Sequence, residues 1–174
     1  LTDTKKEVGK VNGQTFSGLT TLLLHTLILF MIERNPRVLA SNLNKKFKIS
    51  LKAIVILAKK ILQDERQKSG VTIIFINDNY MKRLNQKFLG KNQTTDVLAF
   101  PLKSEFNFEK NPLLLGEVYV SLEQAQRQAQ EYQVSLNEEV KRLVTHGILH
   151  LLGYDHKNKK EALGMRKKEE KYLN

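Results

Sequence analysis

His146-Gly147-Ile148-Leu149-His150-Leu151-Leu152-Gly153-Tyr154-Asp155-His156 holds three of the four histidines of a 174-residue chain. On an α-helix four residues advance by about 400°, so His146 and His150 fall nearly above one another and present two imidazoles on one face. Gly153 suits the left-handed conformation that stops a helix, which lets Tyr154-Asp155-His156 fold back and bring a third imidazole to the same point. Spacing, turn glycine and third histidine agree, and together they favour ligation over the blander alternative of core and capping histidines. The segment predicts a central helix carrying a metal site. Three neutral imidazoles without a fourth strong ligand leave a position open for water, the arrangement of a catalytic rather than a structural zinc site, and one Zn²⁺ per chain is the expectation. His25, alone in an apolar run, reads as structural.

Working outward, Ser135-x-x-Glu138 has the form of a capping box and starts this helix; Ser121-x-x-Gln124 starts another before it. Leu113 to Val120 (LLLGEVYV) reads as a strand, as does Val97 to Phe100 ended by Pro101, with a loop from about Leu102 to Pro112 between them. Val71 to Ile76 (VTIIFI), after Gly70, is a short β-branched and aromatic run typical of a buried strand. Asp78 then caps a helix carrying Met81, Leu84 and Phe88 towards Gly90. Behind Ser50, Leu51, Ile54, Val55, Ala58, Ile61 and Leu62 recur at helical spacing and mark a core-facing helix. A charged closing helix over roughly Lys159 to Leu173 is anchored by Leu163, Met165, Tyr172 and Leu173. Alternating strands and helices with short links give an α/β (α+β) fold with a mixed β-sheet covered by helices.

With 41% hydrophobic residues the chain is long enough for one domain with a real core, placed at 36–174. Lys and Arg exceed Asp and Glu to give a net charge of +11, a field that attracts polyanions, RNA or DNA first. There is no cysteine, so the available metal ligands are histidines and carboxylates. Residues 1–35 form an N-terminal extension of different character, closed by Asn35-Pro36. Its apolar run, Leu19 to Ile32, is interrupted by threonines and falls short of the roughly 20 residues that span a bilayer. Lys5, Lys6 and Lys10 before that run and Val38-Leu39-Ala40 after it imitate a secretory signal, but Glu33, Arg34, Pro36 and Arg37 intrude. The expectation is a cytoplasmic protein without stable membrane association, with Met31 as a candidate biological start.

The ligand offsets of four and ten residues, with glycine seven after the first histidine, equal those of the metzincin proteases. Those enzymes carry Glu directly after the first histidine as general base, and here that position is Gly147. Asp155, beside the ligands, is a candidate to orient a histidine or a bound water from the second shell, with local backbone capping as the alternative.

HGILHLLGYDH also resembles the signature of the YbeY family of bacterial and organellar rRNA maturation factors, described as metal-dependent endoribonucleases. Thr94-Thr95-Asp96-Val97-Leu98-Ala99-Phe100-Pro101 is similar to the family's TDVLSFP segment, and Leu115-Gly116-Glu117-Val118 to its strand with Gly followed by an acid. The resemblance covers about Ser50 to the C-terminus. It implies a zincin-like fold, zinc at the three histidines, single-stranded RNA as substrate, and work on ribosomal RNA, the small ribosomal subunit and ribosome quality control. Asp96 and Glu117 become candidate general bases because they fall in segments matching the family pattern. One departure concerns phosphate binding: the family usually has Arg before the Gly-Lys of its loop, and this chain has Leu89-Gly90-Lys91. Either Lys91, Arg83 or another cation takes over that contact to RNA, or cleavage is weak and the chain is a metal-stabilised ribosome-assembly binding protein.

Overall fold

A strand such as Val71-Thr72-Ile73-Ile74-Phe75-Ile76, almost without polar alternation, has to be covered on both faces. In the computed structural model, which describes residues 37–102 and 114–174, it forms β2 (Gly70–Ile76), inside a four-stranded mixed sheet. Its companions are β1 (Val38–Asn42), β3 (Val97–Pro101) and β4 (Leu114–Ser121), in the order β1-β2-β4-β3. β1 and β4 run parallel to β2, and β3 runs antiparallel to β4. The expected mixed sheet is thus present, with one strand more than the sequence pattern suggested. Val38-Leu39-Ala40, the imitation of a cleavage site, opens β1, which pairs from Val38↔Val71 to Asn42↔Phe75.

The helices begin where side chains can satisfy free backbone N–H groups. Ser50 accepts from Ala53 N to start α1 (Leu51–Asp64), which buries Ile54, Ala58, Ile61 and Leu62. For α2 (Asp78–Leu89) the cap is Asn77, whose side chain accepts from Tyr80 N at 2.8 Å, so Asp78 is the first helical residue and not the cap. Gly90, at φ 69°, ends that helix in the left-handed region. Ser121 caps α3 (Leu122–Glu131), and the reciprocal box of Ser135 and Glu138 starts α4 (Leu136–Leu151). The closing helix α5 (Lys159–Leu173) is anchored by Met165 and Tyr172 alone; Leu163 and Leu173 are 55% and 38% exposed.

Side chains alternate across a strand, and two hydrophobic clusters divide accordingly. Val71, Ile73, Phe75, Val118 and Val120 pack with residues of α1, α3, α4 and α5 on one face. Ile74, Ile76 and Leu98 pack with Met81 of α2 on the other, flanked by Leu84, Phe100 and Tyr119. Burying each such side chain contributes roughly 1.5–3 kcal/mol. α4 lies directly on the sheet because Gly147 has no side chain: a Cβ there would stand 2.6 Å from Val118 Cγ1. The predicted extension over residues 1–35, and all but Leu102 of the predicted loop, lie outside the described residues, as does Leu113. Among the described residues no helix is long and apolar enough to cross a membrane.

Candidate metal centre

The turn that returns the third histidine follows from how α4 ends. Leu152 is the C-cap, Gly153 adopts φ 90°, and two backbone bonds close the helix: Gly153 N to His150 O and Tyr154 N to Leu149 O, each 3.0 Å. This is the Schellman pattern, which satisfies carbonyls that a helix end otherwise leaves free. It sends residues 154–156 back alongside the last turn. One ligand atom from each of His146, His150 and His156 then lies within 4.8 Å of the others, a group that could hold a metal ion.

Hydrogen bonding fixes which nitrogens face inward. His150 Nδ1 lies 3.0 Å from the carbonyl oxygen of Tyr154, an obligate acceptor, so that nitrogen carries the hydrogen. His146 Nδ1 lies 2.7 Å from Glu169 Oε1, also an acceptor. The hydrogen bond with His146 lowers the pKa of Glu169, keeping it ionised at neutral pH. With both imidazoles neutral, both Nε2 atoms are thereby left as lone pairs, and they face each other at 3.0 Å. Two lone pairs at that distance repel unless a cation lies between them. Tetrahedral zinc, with nitrogens at about 2.0–2.1 Å, sets its ligand atoms roughly 3.3 Å apart, so the pair fits such an ion with only a small opening. Burial, and then His146 beside it, lowers the pKa of His150 and favours the neutral, metal-binding form.

Two carboxylates behind these ligands had no signal in the sequence. Glu169 sits within the charged run of α5, where it looks like one more solvated residue, yet it is half-buried against His146. Glu65, just past α1, accepts from Tyr154 Oη at 2.8 Å, from Lys168 Nζ at 2.6 Å and from Tyr172 Oη. Burial would raise its pKa; those donors overcome that and hold it at about 2.

The other predicted residues are distributed less simply. Asp155 is adjacent to the ligands, but Oδ1 accepts from the backbone N of His156 at 2.8 Å and Oδ2 pairs with Lys157 at 2.7 Å. It caps local backbone, the alternative weighed for it, and is not hydrogen-bonded to an imidazole. Asp96 precedes Val97, whose side chain faces Gly147 of α4. Its Oδ1 accepts from Val97 N and Thr95 Oγ1, and its Oδ2 from Gln128 Nε2 at 3.1 Å. Glu117 is not brought to the histidines. Its neighbours Gly116 and Val118 face α4, so alternation turns Glu117 to the α2 side, where Tyr119 Oη donates to it at 2.9 Å. Arg83 projects from α2 over the Tyr80 ring at 5.3 Å, and Lys91 follows Gly90 in an exposed loop. Neither is hydrogen-bonded to the cluster. Leu89, just before Gly90, is 52% exposed.

The family model described as Endoribonuclease YbeY matches residues 39–174. An Endoribonuclease YbeY of Desulforamulus reducens is 40% identical over 144 residues, spanning 78% of this chain and 94% of that protein. One of Carboxydothermus hydrogenoformans is 39% identical over 136 residues, spanning 76% and 92%. A solution structure of a Thermotoga maritima protein, 33% identical, covers 79% of this chain and 85% of its own with a TM-score of 0.56. A mixed four-stranded sheet, a helix bearing paired histidines and a glycine turn returning a third thus occur in a chain that belongs to the Endoribonuclease YbeY family.

Proposed function

We propose that this chain is a zinc-dependent, single-strand-specific endoribonuclease of the cytoplasm, acting in ribosomal RNA maturation and in quality control of the small ribosomal subunit. Membership of the Endoribonuclease YbeY family supports an RNA-cleaving hydrolase. The observation that carries the metal-dependent part is the pair of inward Nε2 atoms at 3.0 Å, each with its Nδ1 committed to an acceptor.

His146, His150 and His156 would hold the ion. When bound, zinc supplies a Lewis acid for a phosphate oxygen and an activated water. Glu169 fixes the tautomer of His146 and offsets part of the charge gathered at the site. Of the two candidate bases we retain Asp96, because Glu117 turns to the sheet face away from α4. Asp96 lies close enough to Arg142 of α4 to join Glu139, the larger cause, in raising that residue's pKa against the opposing effect of burial. The net charge of +11 draws RNA to the surface, where Lys91 and Arg83 are the cations proposed to meet it. A peptidase mechanism finds no base at Gly147, which is pressed against Val118.

A second reading rests on Leu89. With an exposed leucine where a phosphate-binding arginine belongs, the chain would be a metal-stabilised ribosome-assembly binding protein with little turnover. Metal content and cleavage of a single-stranded RNA, measured on one preparation of wild type and His150→Ala, separate the two. About one metal per chain with His150-dependent, chelator-sensitive cleavage is expected. Metal with salt-sensitive RNA binding but no cleavage favours the binding protein, and cleavage persisting in metal-free protein overturns the proposal.

A further inference from the structure

Glu65 takes no part in the ligand set, yet it receives three donors. Its side chain is only 11% exposed, and Tyr154, Lys168 and Tyr172 all converge on it. One of the three, Tyr154, is fixed at both ends. Its phenol hydroxyl donates to Glu65 Oε2, while its backbone carbonyl accepts from His150 Nδ1. The direction of that carbonyl sets the ring plane of His150 and keeps its Nε2 turned inward. Two residues later in the same turn comes His156.

The second link runs through α5. Lys168 and Glu169 are consecutive, and each reaches a different part of the centre. Lys168 donates to Glu65 at 2.6 Å and lies over the Tyr154 ring at 5.5 Å; Glu169 holds His146 at 2.7 Å. Both helical ligands are therefore referred to the same stretch of α5, one directly and the other through Glu65 and Tyr154. A plain latch between α1 and α5 also exists here. Lys171 pairs with Asp64 at 2.8 Å and reaches Tyr172 Oη at 3.5 Å without touching Tyr154, so its removal disturbs the surroundings of Glu65 while sparing the path through Tyr154, which supplies an internal control.

We propose that Glu65 is a positioning residue of the metal centre, acting through Tyr154 on His150. The inference rests on the reading of the three histidines as metal ligands. It implies that loss of the Glu65 carboxylate, or of the Tyr154 hydroxyl alone, loosens the ligand set while leaving all three histidines in place. Outer partners of this kind typically change metal affinity by about 10- to 100-fold.

The test is Zn²⁺ affinity, measured by competition with a chromophoric chelator on metal-stripped full-length chain. It compares wild type, Glu65→Gln, Tyr154→Phe, the double variant and Lys171→Ala, with the visible spectrum of the Co²⁺ form as a second readout of ligand geometry. Glu65→Gln and Tyr154→Phe should each weaken Zn²⁺ by about 10-fold or more. The double variant should be no weaker than the worse single one, since both break the same path. Lys171→Ala should bind as wild type, and the Co²⁺ spectrum should change only in the first three variants. Unchanged Zn²⁺ affinity and Co²⁺ spectrum in Tyr154→Phe would overturn the proposal, even if its melting temperature fell, and would leave Glu65 as a structural latch. Tyr154→Phe removes one hydroxyl and decides the matter if Glu65→Gln does not fold. Failure of the wild type to bind Zn²⁺ at all overturns instead the metal reading on which the inference stands.

Discussion

Replacing Gly147 by Ala adds one methyl group at a close contact between α4 and the sheet. The new Cβ would stand 2.6 Å from Val118 Cγ1 and 3.2 Å from Val97 Cγ2, where carbon atoms normally rest at about 3.5–4.0 Å. Val118 cannot give way easily. It is fully buried, its strand is paired on both sides, and a β-branched side chain has few χ1 alternatives. Overpacking of this kind costs about 1–3 kcal/mol, against which alanine regains about 1 kcal/mol of helix propensity. A matched control removes that second effect. Gly164 lies within α5, and a Cβ there meets nothing within 4 Å. Gly164→Ala should therefore stabilise the chain by about 0.5–1 kcal/mol. The difference between the two variants isolates the overlap, about 1–3 kcal/mol, or several degrees of melting temperature at roughly 2–4 °C per kcal/mol for a chain of this size. Urea or thermal unfolding of both variants measures it. Because Gly147 adjoins His146, the displaced helix should also bind Zn²⁺ more weakly. Equal stability of the two variants would refute the packing account of Gly147.

Two further outcomes follow from features of the surface and of Glu65. Leu89→Arg places a cation on an exposed position at the end of α2; it should strengthen single-stranded RNA binding and steepen the plot of log K against log salt by about 0.7, one added phosphate contact, and an unchanged slope counts against any RNA path there. The Glu65 carboxyl titrates at about 2 in the folded chain against an ordinary 4.5, so its stabilisation is fully present above the ordinary value and is lost as pH falls through the folded one. The deficit of Glu65→Gln relative to wild type should accordingly narrow between pH 4.5 and about 2 in acid-unfolding measurements, and a deficit independent of pH would show that the carboxylate charge contributes nothing.

What the sequence revealed was mostly what is decided within a few residues. Ser50, Ser121 and Ser135 mark helix starts because a cap is a contact with backbone two or three positions on. Gly153 announces its turn because few other residues tolerate φ 90°. Asn77 and Asp78 illustrate the limit of such signals: both are capable caps, and only the backbone decides between them. β1 escaped notice because its stability comes from pairing with β2, far along the chain, and because an apolar residue, Leu39, occupies an exposed position, so the alternating burial of the strand is not mirrored by alternating polarity in the sequence. Alternation in Gly116-Glu117-Val118 held the information that Glu117 faces away from its neighbours, but which face meets the histidine helix depends on packing. Glu169 was hidden for a related reason. In a helix rich in Lys and Glu, the one carboxylate that turns inward looks like its neighbours until the partner helix is in place.

The chemistry of the donor set also bears on competition among ions. RNA travels with a cloud of magnesium, a hard cation that keeps its own water and prefers oxygen. Three imidazole nitrogens offer it no oxygen and no negative charge, whereas nitrogen donors suit the softer transition ions. On the reading of the three histidines as metal ligands, substrate arriving with its counterions would not need to exchange them into the site, and ligand type rather than any gate would keep a bound transition ion and the substrate's own apart.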